Sequence, residues 1–124
     1  MIEAGLPIYM PEYRVKRVAT RLKKFLRKSG VDISHLEALD VAVQILGFDD
    51  WPAFRNRDLD VPLSPFDEQL SDDDFLARDD FQTRALAEAG LAQYARQILD
   101  WTNPTGSRPG KPMVADEGPS PASR

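Results

Sequence analysis

The sequence predicts an all-α protein. Apolar residues recur at helical spacing along much of the chain, and several of the segments begin at a capping residue and end at a glycine. No stretch alternates between apolar and polar residues over the length of a β-strand. A chain of 124 residues, 42% of them hydrophobic, is expected to form one small helical domain with a modest core.

The first predicted helix runs from Glu12 to Lys28. Pro11 precedes it and Ser29-Gly30 follows it, and these residue types are typical of a helix start and a helix end. At about 100° per residue, six apolar side chains share one arc: Val15, Val18, Ala19, Leu22, Phe25 and Leu26. We expect this arc to face the core and to pack against the second and third helices.

The next two helices have clear starting signals. In "SHLE", Ser34 and Glu37 have the spacing of a capping box, in which each side chain bonds the backbone amide of the other residue. Gly47 is the expected end of this second helix. The string "DDWPAF" predicts a short third helix, capped by Asp50 and with a proline in its first turn. Residues 12–57 are therefore predicted to form a compact three-helix unit.

The C-terminal half is predicted to be a connector, two helices and a tail. Residues 58–70 contain two prolines and no helical period, which indicates an extended connector. "SDDD" predicts the start of a fourth helix, and "LAQYARQILDW" predicts a fifth within an acidic segment, 71–102. Residues 103–124 are rich in Pro, Gly and Ser and are expected to be disordered. The folded domain is thus predicted to span 1–102.

Charge is divided unevenly between the two parts of the chain. Residues 1–30 hold eight Lys and Arg and two acids, a net charge of +6. The remaining residues hold eight bases and eighteen acids, a net of -10, and the total is -4. Such asymmetry indicates either a charged partner or two parts that neutralise each other.

The charged residues supply the two candidate surfaces. Opposite the apolar arc, the first helix carries a basic stripe of Arg17, Arg21, Lys24 and Lys28. We interpret this stripe as a solvated face, as a face paired with the acidic segment, or as a contact for a partner or for phosphate groups. The acidic candidate surface comprises Asp72, Asp73, Asp74, Asp79 and Asp80.

No catalytic, cofactor or metal signature is present in the sequence. The chain has one histidine, His35, and no cysteine, and no nucleophile is paired with a base. The acidic run lacks the glycine and the distal glutamate of a calcium loop. We expect no enzyme activity, no cofactor and no metal. No apolar stretch approaches the length of a membrane span, and the N-terminus does not have the pattern of a signal peptide. A cytoplasmic location without membrane contact is expected.

The run "ISHLEALDVAVQILGFDDWPAF", together with the basic helix before it, resembles a short helical segment of a bacterial glyoxalase-related domain family. The matching residues are Ile33, Ser34, His35, Ala38, Leu39, Ala42, Leu46, Gly47, Phe48 and Trp51. The resemblance covers residues 12–57. It implies a helical accessory module, of a kind found on mobile elements. It does not imply the enzyme, which uses His and Glu metal ligands on a β-containing scaffold.

These observations leave three functional hypotheses. The first is a non-enzymatic interaction protein that binds a protein partner or forms a homo-oligomer through opposed basic and acidic surfaces. The second is a nucleic-acid-binding regulator from a bacterial mobile element, which contacts phosphates non-specifically through the basic helix. Base-specific reading is disfavoured because Asp49-Asp50 would face the phosphates. The third is an acidic inhibitor that mimics DNA.

Overall fold

The computed structural model describes residues 6–108, and all regular secondary structure in that range is helical. The prediction of an all-α fold is confirmed. The α-helices are α1 (Glu12–Lys28), α2 (His35–Gln44), α3 (Trp51–Arg55), α4 (Asp72–Glu88) and α5 (Ala95–Thr102), with 3₁₀ turns at Asp67–Gln69 and Ala92–Tyr94. Residues 109–124, most of the tail that was predicted to be disordered, lie outside the described residues.

Local signals set the ends of the helices. At the start of α2, Ser34 Oγ accepts from the Glu37 amide at 3.0 Å, and Glu37 Oε1 accepts from the Ser34 amide at 2.8 Å, so the predicted capping box forms. After α2 the chain reverses at Gly47, whose φ is +98°. A Cβ at this position would also lie 3.3 Å from the Cα of Pro7. Glycine is therefore required both by the conformation and by the close approach.

The predicted apolar arc of α1 is buried. Val18, Leu22 and Leu26 are at most 2% exposed, and α1 packs most extensively on α2, as the sequence predicts. The apolar arc is too wide to be covered by α2 alone, and α1 therefore packs on α5 as well. Phe25 turns to that second side, where its ring centroid lies 5.8 Å from those of Tyr94 and Trp101.

An extended N-terminal segment completes the core, which the sequence did not predict. Ile8 and Met10 are each 1% exposed. The Ile8 amide donates to the Leu46 carbonyl at 2.7 Å, and the Tyr9 carbonyl accepts from the Ser64 amide at 2.9 Å. Residues 6–10 therefore tie the end of α2 to the connector.

The packed chain extends past the predicted boundary at Thr102. Asn103 adopts a left-handed conformation, with φ of 44°, and the residues that follow, 104–106, are buried. A Cβ on Gly106 would collide with the Asn103 side-chain amide, which donates to the Arg108 carbonyl at 2.6 Å. The prediction that disorder begins at residue 103 is corrected for residues 103–108. This turn buries little apolar surface, and polar contacts hold it in place.

Truncation of Leu22 tests the burial of the α1 arc. Leu22 is 0% exposed, so Leu22→Ala is expected to lower the free energy of unfolding by about 2–5 kcal/mol through lost burial and a residual cavity. Chemical denaturation followed by circular dichroism measures the change. A loss smaller than about 1 kcal/mol would show that this face of α1 is not core.

Candidate functional site

The basic side chains of α1 fall into two groups. Arg14, Arg17 and Arg21 turn toward the side where α5 ends, and we call these three residues the arginine seam. The second group, which we call the outward basic face, comprises the basic side chains of α1 that are exposed: Lys16, Lys24, Arg27 and Lys28. The division follows from packing, because α1 contacts α2 on one side and α5 on the other.

Arg14 holds the turn after α5. It is 6% exposed, and its Nη2 donates to the carbonyl oxygens of Asn103, at 3.2 Å, and Gly106. Its guanidinium also lies 5.5 Å from the centroid of the Phe66 ring. Burial lowers the pKa of Arg14, and the positive charge of Arg17 lowers it further. Arg14 was not among the predicted site residues, although it belongs to the same basic run.

Arg21 was predicted to point outward, and the structure corrects this. Its Nε donates to the Trp101 carbonyl at 3.0 Å, and its guanidinium lies 4.8 Å from the centroid of the Trp101 ring. On the helix, Arg21 is only about 40° from Phe25, so α5 covers both residues. A cation at this position also interacts favourably with the carbonyl end of α5.

Arg17, also predicted to point outward, is half-buried. Its Nε and Nη2 atoms are shielded from solvent and have no hydrogen-bond acceptor within residues 6–108. Lys24 and Lys28 are exposed, as the predicted stripe requires. The four predicted basic residues therefore do not form one surface.

The outward basic face is partly neutralised at one end. Lys16 Nζ lies 3.0 Å from Glu12 Oε2, one turn away on the same helix. The hydrogen bond from Lys16 is the main cause that lowers the pKa of Glu12, with Arg55 contributing a further positive charge. Both side chains of this pair are substantially exposed, so the pair contributes little to stability.

The start of α4 forms an acidic tip, which we define as residues 72–76. Ser71 Oγ caps the helix by accepting from the Asp74 amide at 3.1 Å. Within residues 6–108, none of the carboxylates of Asp72, Asp73 and Asp74 has an ion-pair or hydrogen-bond partner. Phe75 and Leu76 are 39% and 62% exposed. The tip therefore combines unpaired negative charge with apolar side chains that the core does not cover.

Asp79 and Asp80, the other two predicted acidic residues, are engaged within the molecule. Asp79 Oδ2 lies 2.7 Å from Arg96 Nη2 and so links α4 to α5. This hydrogen bond raises the pKa of Arg96. Asp80 Oδ2 lies 2.9 Å from Arg84 Nε, one turn along α4. The predicted acidic surface thus reduces to the three aspartates of the tip.

A buried polar network between α4, the connector and the C-terminal turn was missed by the sequence reasoning. Arg78, 9% exposed, donates to the Pro65 carbonyl at 2.9 Å and to Asp67 Oδ1 at 3.1 Å. Thr105 Oγ1 donates to the same carboxylate oxygen at 2.7 Å and accepts from Gln82 Nε2 at 3.1 Å. Arg78 and Gln82 are spaced i, i+4 on one face of α4. This spacing was the only local sequence signal of the network.

A cleft of about 350 Å³ lies between the end of α2 and α4. Its lining includes the aromatic residues Phe48 and Phe81 and the acids Asp49 and Glu88. Among the described residues that line the cleft there is no serine, threonine or histidine. His35 is exposed at the start of α2.

The described part of the chain offers neither a metal centre nor a membrane span. Among residues 6–108, no three His, Asp or Glu side chains are placed to hold an ion. No helix of the same range is both long and apolar enough to cross a bilayer.

Comparison with known proteins adds no assignment. No protein-family model, curated protein or solved structure matches the chain. The resemblance of residues 12–57 to a glyoxalase-related segment remains a prediction.

Arg21 and Lys24 make a matched pair that tests the division of the basic helix. Arg21→Ala is expected to lower the free energy of unfolding by about 1–2 kcal/mol, because it removes a charged hydrogen bond and a cation–π contact. Lys24→Ala, at an exposed position on the same helix, is expected to leave it nearly unchanged. Urea denaturation of both variants measures the difference. Equal effects would contradict the assignment of Arg21 to the seam.

Proposed function

We propose that the protein is a non-enzymatic helical interaction module that binds a protein partner, or a second copy of itself, through the acidic tip. One observation carries the proposal. The first turns of α4 expose three carboxylates, which have no partner within residues 6–108, next to the side chains of Phe75 and Leu76. Within the fold, Phe75 keeps 39% of its surface exposed and Leu76 keeps 62%.

The acidic tip is exposed over its whole length. Residues 72–77 are all exposed, and Arg78 is the first buried residue of α4. Six helical residues correspond to about 9 Å of helix along which every residue is exposed. An exposed turn with apolar side chains and a charged rim is the arrangement that protein interfaces use, in which apolar anchors are buried and charges select the partner.

A second copy of the chain offers a surface of complementary charge. The outward basic face lies on α1, and the acidic tip lies at the start of α4. A contact between the tip of one copy and the basic face of another would be heterologous, because it joins two different surfaces. A partner protein with a basic surface would compete for the same tip.

Nucleic-acid binding by a regulator from a bacterial mobile element is the second candidate. The observation that favours it is the outward basic face, where Lys24, Arg27 and Lys28 are exposed close together. A face of this size would contact few phosphates, and each contact would make affinity fall with salt. We place either function in the cytoplasm, in keeping with a chain that has no cysteine.

Neutralising the acidic tip tests the first function. The variant D72N/D73N/D74N is expected to weaken self-association of the protein by about tenfold or more, because it removes the charges that select the basic face. The matched control D49N/D60N/E88Q changes the net charge equally at exposed acids elsewhere. Sedimentation of the wild type and both variants at about 50 mM and about 500 mM NaCl measures association and its screening.

Two results would count against the tip as the binding surface. One is a wild-type chain that stays monomeric at low salt. The other is a control variant that loses association as fully as the tip variant does, because net charge alone would then explain the loss.

A gel shift with duplex DNA separates the two candidates. We expect that neither the wild type nor the charge-reversal variant K16E/K24E/R27E retards the DNA, because the interaction module does not bind DNA. If the wild type retards DNA at low salt and this variant does not, the outward basic face is a phosphate contact and the second candidate replaces the first.

A further inference from the structure

One wall of the cleft between α2 and α4 is fixed by the backbone turn that follows α2. The Gly47 amide donates to the Gln44 carbonyl at 3.0 Å, and the Phe48 amide donates to the Val43 carbonyl at 3.1 Å. These two bonds form a Schellman motif, which sets the direction in which Phe48 leaves the helix. The Phe48 ring is also held edge-on against the Phe54 ring, with 5.3 Å between the centroids. This wall therefore exists before any ligand arrives.

The other wall is one face of α4. Phe81, Arg84, Ala85 and Glu88 are spaced i, i+3, i+4 and i+7, so they follow one another along about 10.5 Å of the helix. Ala85 contributes one methyl group to the lining, and Gly47 contributes no side chain. The fold consequently leaves about 350 Å³ between the two walls unfilled. A volume of this size is typical of sites for small ligands.

The lining combines aromatic rings with carboxylates. Phe48 and Phe81 are half-buried, so each keeps part of its surface accessible. Asp49 and Glu88 are exposed. Within residues 6–108, neither of these two carboxylates has an ion-pair or hydrogen-bond partner. Aromatic faces and carboxylates both attract positive charge, and the rings also provide apolar contact.

Arg84 does not reverse the charge of the cleft. It is the one cation among the described lining residues, and its Nε lies 2.9 Å from Asp80 Oδ2 on the same helix. The positive charge of Arg84 is therefore balanced within α4. The negative charges of Asp49 and Glu88 are left for a ligand to balance.

We propose that this cleft binds an alkylammonium cation. The alkyl chain packs against the rings of Phe48 and Phe81, and the ammonium group is attracted by the carboxylates of Asp49 and Glu88. An anion is repelled by the same two carboxylates. A neutral alkyl compound gains only the apolar contact. The cleft thus selects a cation that carries an apolar stem.

The inference goes beyond the proposed function and does not rest on it. The cleft uses the second half of α4, from Phe81 to Glu88, whereas the acidic tip comprises residues 72–76. Two sources carry an alkylammonium group, a free amine and the lysine side chain of another protein. The experiment separates these sources.

Titration of the full chain with n-butylammonium chloride, followed by ¹H–¹⁵N NMR, tests the proposal. We expect the amide signals of Gly47, Phe48 and Asp49 to shift and to saturate, with a dissociation constant in the millimolar range, as suits a ligand of about five non-hydrogen atoms. n-Butanol has nearly the same shape without the charge, and it is expected to bind about tenfold more weakly. Sodium chloride at matched concentrations is expected to cause no saturable shift of these signals.

Three variants assign the binding to the cleft. D49N/E88Q keeps the shape of both side chains and removes their charges, so it is expected to weaken n-butylammonium binding by about tenfold or more. Phe81→Leu keeps an apolar wall and removes an aromatic face, and a loss of about threefold or more is expected. The matched control D58N/D60N changes the net charge equally at two exposed acids outside the cleft, and its dissociation constant should equal that of the wild type.

A second titration, with the blocked peptide acetyl-Gly-Gly-Lys-Gly-Gly-amide, identifies the source of the cation. If the peptide shifts the same amide signals with a similar dissociation constant, the cleft accepts a lysine side chain of another protein. If n-butylammonium alone binds, the ligand is a free amine. Either result supports the proposal. Absence of saturable shifts with both probes, equal binding of n-butanol, or unchanged binding in D49N/E88Q would overturn it.

Discussion

The C-terminal turn is held by the guanidinium of Arg14, and the arrangement of the second half of the molecule depends on that interaction. Residues 103–108 offer little apolar surface, so burial alone would not fix them. Arg14 binds two of their carbonyls, and the ordered turn then places Thr105 within reach of Asp67. The connector and α4 meet at that same carboxylate through Arg78. One buried cation thereby joins α1 to the C-terminal turn, and through that turn to the connector and α4.

The same packing explains how an acidic protein accommodates a strongly basic helix. The flank of α1 next to the apolar arc faces the carbonyl end of α5, where positive charge is favourable. There Arg14 and Arg21 donate hydrogen bonds to backbone carbonyls and lie against aromatic rings, and they do not pair with the aspartates of α4. The three aspartates of the acidic tip consequently have no ion-pair partner within residues 6–108. Lysines predominate among the exposed basic residues of α1, where a hydrated point charge is suited to contact with solvent.

Signals from neighbouring residues were sufficient to predict much of the fold. The sequence carried no signal for contacts between residues that lie far apart in the chain. The bounds of α1, the capping box at Ser34 and the reversal at Gly47 each depend on neighbouring residues, so they could be predicted. The contact of Arg14 with Gly106 joins residues 92 positions apart, and no periodicity encodes it. Helical periodicity separated apolar from charged side chains correctly. It could not show that a second helix, α5, covers part of the charged flank.

Native-state hydrogen exchange of the variant Arg14→Met tests this account most directly. Methionine keeps much of the length of the side chain and removes its donors. The reporter is the Asp67 amide, which donates to Thr105 at 2.9 Å, and the reference is the Ile8 amide, which donates to Leu46 at 2.7 Å. The account predicts that protection of Asp67 falls by about tenfold or more relative to Ile8, because the turn opens without Arg14. An unchanged ratio of the two protection factors would contradict it.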